Sequence, residues 1–96
     1  MTKYWITLIR RTRRADDVTL EHPQITDADE LFELLQEGTK KLNLSTPVIL
    51  SKHVSDLEAF HHTRFWPQDF MEPFPYDYME LFELPEEDPK KQKSFV

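Results

Sequence analysis

The residues most able to do chemistry are three histidines, His53, His61 and His62, with Asp56, Glu58 and Asp69 close by in sequence. Imidazoles and carboxylates are the ligands of a zinc-type centre, which would gather two or three of them and keep a position open if catalytic. The spacing opposes that. His61 and His62 are adjacent, so on a helix their side chains diverge by about 100°, and His53 precedes the helix start signal at Ser55. The plainer expectation is one imidazole packed beneath the helix and the other beside Glu58 at helical spacing. Of the three functional readings the sequence allows, a His-centred metal enzyme is the last, and no cofactor is expected.

Other chemistries fare no better. Asp56, Glu58, Asp69, Glu72 and Asp77 offer carboxylates, but general acid–base work needs burial or a partner to tune them. Ser51, His53 and Asp56 share the composition of a triad, yet residues this close along one chain rarely meet in triad geometry. The chain has one glycine, Gly38, and it falls within a helical pattern, so no glycine-rich phosphate loop exists. The chain has no cysteine, which removes disulfides, thiolate ligands and thiol nucleophiles. An enzyme is therefore not the leading expectation.

Two segments point to binding instead. Arg10, Arg11, Arg13 and Arg14 could contact phosphates, with Tyr4 and Trp5 stacking on bases; the alternative is a solvated hairpin tip whose charges blunt a sheet edge. The second segment is Phe65–Tyr76, irregular in pattern and crowded with Phe65, Trp66, Phe70, Met71, Phe74 and Tyr76. It is either a lid over the core or a contact surface, because aromatic residues, Met and Arg are enriched at interfaces. With Arg64 beside it, this loop (Arg64, Phe65, Trp66, Phe70, Phe74, Tyr76) is the expected site for a protein partner or a second copy. The leading function is thus a non-enzymatic protein-binding or self-associating module; an anion or nucleic-acid binder through the arginine run is the runner-up.

Pro47–His53, then Asp56-Leu-Glu, Thr63–Pro73 and Asp77–Leu84 together resemble short proteins of Gram-positive gut and soil bacteria, of clostridial type. The resemblance covers roughly residues 46–84 and implies no activity.

Charge limits the partners. The net charge is −6 over 96 residues. Residues 1–22 carry five Lys/Arg against three Asp/Glu, and residues 23–96 carry seven against fifteen. Such a chain is a poor general binder of polyanions. No signal-peptide pattern or membrane-length apolar run is present, which makes the cytoplasm the expected compartment and a membrane partner unexpected.

The elements that position these residues follow from periodicity. Lys3–Arg11 alternates with both faces apolar, Tyr4, Ile6 and Leu8 on one and Trp5, Thr7 and Ile9 on the other, as in a strand covered on both sides or lying at a dimer contact. Asp17–His22 reads as its hairpin partner. Thr26 or Asp27 caps a helix over about 27–42, with Leu31, Leu34, Leu35 and Leu42 on one stripe and Lys40 and Lys41 in its last turn. Val48–Lys52 reads as a third strand, Ser55–Phe65 as a second, short helix and Tyr76–Leu84 as a final strand. The expected fold is an α+β two-layer sandwich in β-β-α-β-α-β order, mainly antiparallel, with helices on one face of the sheet. It spans residues 1–84 as a single domain, and residues 85–96 form a charged tail with disorder expected.

Overall fold

The computed structural model describes residues 1–84; the tail lies outside the described residues. The chain folds as an α+β domain of four antiparallel strands and two helices: β1 (Thr2–Arg10), β2 (Arg13–His22), α1 (Ala28–Lys41), α2 (Ser51–Phe60), β3 (His62–Phe65) and β4 (Tyr78–Leu84). The strands lie in the order β2-β1-β4-β3, so β1 and β4 are central and β2 and β3 are the edges.

The first hairpin turns tightly through Arg11 and Thr12, both with positive φ (52° and 62°), and Arg10 pairs with Arg13. Left-handed backbone suits neither residue, Thr least, because β-branching crowds it there. Compensation comes from Asp77, whose carboxylate accepts the Arg11 N–H at 2.8 Å. A bulge between Leu8 and Ile9 then leaves Ala15 outside the pairing register and sets Arg14 opposite Ile9.

Helix α1 forms as its pattern requires. Asp27 is the N-cap and accepts the Glu30 N–H at 2.9 Å, while the Glu30 carboxylate reaches back to the Thr26 hydroxyl at 2.7 Å. Leu31, Leu34 and Leu35 are buried, and α1 packs on β2. At Gly38 the helix lies close against the sheet. A Cβ there would lie 2.3 Å from Ile6 Cδ1 and 3.2 Å from Leu20 Cδ1.

The element order departs from the expected one. Val48–Lys52 is not a strand: residues 44–50 are irregular and α2 begins at Ser51. A short apolar run has no period that separates strand from loop, and its register is taken up elsewhere, with the Val48 N–H donating to the Asp69 carbonyl at 2.7 Å. The start signal at Ser55 is likewise not the cap. Leu50 occupies the N-cap, and the His53 ring supplies the missing side-chain acceptor, Nδ1 taking the Leu50 N–H at 2.9 Å. The helix ends at His61, which adopts the left-handed conformation (φ 60°), and the chain reverses into β3. The observed order is therefore β-β-α-α-β-β.

One face of the sheet meets the helices. Tyr4, Ile6, Leu8, Leu20, Met79 and Leu81 join Leu31, Leu34, Leu35, Leu57 and Phe65 in one core. Within it, the Tyr4 hydroxyl donates to Glu83 Oε2 at 2.8 Å and accepts the Ile25 N–H at 2.9 Å. Burial pushes that phenol well above the ordinary tyrosine range, and the neighbouring Glu83 carboxylate adds to the rise. No helix of the described residues is long and apolar enough to cross a membrane.

Candidate functional site

The aromatic loop divides between core and surface. Phe65 and Phe70 are buried in the core and are not available to a partner. Phe74 stacks on Phe70 with ring centroids 4.1 Å apart, and Tyr76 meets Phe74 edge-on, so both brace the loop. Trp66 is different: it is exposed and leans on Tyr78, centroids 5.2 Å apart, beside Arg64. Only Arg64 and Trp66 of the six expected contact residues reach the surface described next.

That surface is the second face of the sheet, opposite the core. Alternation of side chains and the pairing register place its residues in rows across the strands β2-β1-β4-β3. Thr19, Trp5, Phe82 and His62 form one row. Asp17, Thr7, Glu80 and Arg64 form the next, and Arg14, Ile9 and Tyr78 the third. The first row is aromatic: Trp5 and Phe82 have centroids 5.3 Å apart, and His62 stacks on Phe82 at 5.7 Å. Trp5, Phe82, Ile9 and Tyr78 are each half-buried by their strand neighbours alone.

The middle row is polar. Arg64 Nε donates to Glu80 Oε2 at 2.8 Å, and its guanidinium lies 4.6 Å from the Tyr78 ring centroid. The hydrogen bond to Glu80 holds the guanidinium pKa above its already high ordinary value. Asp17 accepts the Trp5 indole N–H at 2.8 Å. Between them sits Thr7, 2% exposed, with its hydroxyl unpartnered among the described residues. A buried hydroxyl without a hydrogen bond is costly.

Two of the four arginines of the run diverge. Arg10 donates to the Pro75 carbonyl at 3.0 Å and lies over Tyr76, whereas Arg14 lies over Trp5 on the open face. Tyr4 is in the core and cannot stack on a base. Of the expected pair, Trp5 alone is presented.

The histidines separate as well. His53 is fully buried against Phe65, centroids 4.1 Å apart. Burial lowers its pKa below the ordinary imidazole value, against the opposing pull of Asp69. His61 pairs with Glu83 at 3.0 Å rather than with Glu58, and His62 belongs to the aromatic row. Among the described residues no three His, Asp or Glu side chains gather into a set able to hold a metal ion. A shallow groove of about 470 Å³ opens along β3, lined by Lys52, Asp56, Phe60, Thr63, Arg64 and Trp66.

Comparison with family models, with curated proteins and with solved structures finds no match. The resemblance to short Gram-positive proteins gains no support from them.

Proposed function

We propose that this chain is a protein-interaction domain that meets its partner through the open sheet face rather than through the aromatic loop as a whole. One observation carries this reading: Trp5, Phe82 and His62 form a half-exposed aromatic row on a sheet face that neither helix covers. An antiparallel sheet facing water is ordinarily polar on that side, and aromatic residues with Arg at the rim are the composition of an interface centre. Glu80 and Asp17 in the middle of the face, with a net charge of −6, disfavour a polyanion there.

Both tryptophans of the chain, Trp5 and Trp66, lie at this face, so their oxidative labelling reads its occupancy directly. In native lysate both are expected to be protected relative to the purified, dilute protein. Phe82→Glu is expected to abolish the protection while the far-ultraviolet circular dichroism stays unchanged. Equal labelling in lysate and in dilute solution would overturn the reading. Protection lost on nuclease treatment would transfer the face to a nucleic acid.

A further inference from the structure

We infer that the occupant of the open face is a second copy of this chain, packed face to face about a two-fold axis that runs parallel to the strands between β1 and β4. This rests on the protein-interaction reading and specifies its partner. Two sheets related by such an axis exchange columns and keep rows: β2 of one copy lies over β3 of the other, and β1 over β4. The middle row then meets itself in complement. Asp17 opposes Arg64 of the second copy at the exposed ends of the row, and between them Thr7 and Glu80 are covered within each copy.

The chemistry fits each pairing. Arg64 engages Glu80 through Nε, and its Nη hydrogens have no partner among the described residues. Asp17 accepts one indole N–H and keeps carboxylate lone pairs to offer. In the first row Trp5 opposes Phe82 of the second copy, so aromatic meets aromatic. The other in-plane axis, perpendicular to the strands, would set Asp17 against Asp17 and Glu80 against Glu80, and like charges reject it.

Size sets the strength. Strands about 4.8 Å apart with about 3.3 Å per residue give a flat footprint on the order of 400 Å² per copy. A standard interface buries about 800 Å² per partner, so the dimer is reversible and concentration-dependent.

The test is sedimentation of the full-length chain over a dilution series, with a monomer mass of 11.6 kDa. Mass is expected to rise toward the dimer with concentration. Asp17→Arg and Arg64→Asp should each weaken association about tenfold or more. An equimolar mixture of the two should restore it, because each contact then joins opposite charges. A dimer indifferent to both variants, or not restored by mixing, would overturn the inference. So would a monomer at every concentration. If Trp5 and Trp66 were protected in that monomer, the face would belong to residues 85–96; if they were protected only in lysate, a different protein would occupy it and the interaction reading would stand.

Discussion

His53 does two things that conflict at low pH. In its neutral form Nδ1 accepts the Leu50 N–H at 2.9 Å, which puts the ring proton on Nε2. Protonation places a hydrogen on Nδ1 as well, facing a donor it can no longer accept from, and buries a charge against Phe65. Nε2 lies 4.0 Å from Asp69 Oδ2, beyond hydrogen-bond reach, so no full ion pair offsets that charge. Lys52 acts in the same direction as burial, and together they outweigh the favourable pull of Asp69 and Asp56. A folded-state pKa below the unfolded value means the unfolded chain binds the extra proton first. Stability is then fully present above about pH 6.5 and is lost as pH falls toward the folded pKa. Urea midpoints at pH 7 and pH 5 should show this loss. The comparison is with His53→Gln, in which the acid-side drop should shrink. An undiminished drop would show that His53 is not its source.

At the scale of elements, the approach of α1 to the sheet is set by two atoms. A Cβ on Gly38 would collide with Ile6 Cδ1 at 2.3 Å, at a site where Ile6 is fully buried. Alanine gains about 1 kcal/mol of helix propensity over glycine, but overpacking a filled core costs about 1–3 kcal/mol. Gly38→Ala is therefore expected to destabilise by about 1 kcal/mol net. Ile6→Val alone removes Cδ1 and should cost about 1 kcal/mol. Together they should cost less than their sum, since the second change makes room for the first, and chemical denaturation of the four proteins in the cycle reads that coupling directly.

The same elements show what the amino-acid order discloses. The alternation in Lys3–Arg11 separates the two faces of β1, with Tyr4, Ile6 and Leu8 on the core side and Trp5, Thr7 and Ile9 on the other, and the capped leucine stripe locates α1 to within a residue at each end. Those signals are long and periodic. Val48–Lys52 is too short to carry a period, and the cap of α2 is made by an imidazole from three residues downstream, a device that residue type alone does not announce. The open face was only partly legible for a different reason. It joins Trp5 to Phe82 and Asp17 to Trp5 across strands, so its rows exist only once the register β2-β1-β4-β3 is known. The aromatic loop stands out in the sequence because its large side chains are contiguous; packing alone shows that Phe65 and Phe70 fill the core while Phe74 and Tyr76 brace the loop.

For the whole molecule, net charge makes a prediction that separates self-association from nucleic-acid binding. Each copy carries −6. Two sheets packed about 10 Å apart, each backed by a helix layer, put the centres of charge roughly 20 Å apart. Treated as point charges in water, two such copies repel by about 7 kcal/mol without salt. Screening lowers that to about 4 kcal/mol at 0.01 M, where the Debye length is about 30 Å, and below about 1 kcal/mol at 0.15 M, where it is about 8 Å. The two Asp17–Arg64 contacts also weaken with salt, but half-exposed pairs contribute only about 1 kcal/mol each at most. Relief of the repulsion wins, so the dimer should tighten as salt rises from 0.01 to 0.15 M. Phosphate contacts made by Arg13 and Arg14 would behave in the opposite way, because counterion release makes such binding fall steeply with salt. Sedimentation at the two ionic strengths therefore gives a sign rather than a magnitude to judge. Association that weakened over this range would mean that the arginines and their ion pairs, not the aromatic rows, supply most of the attraction.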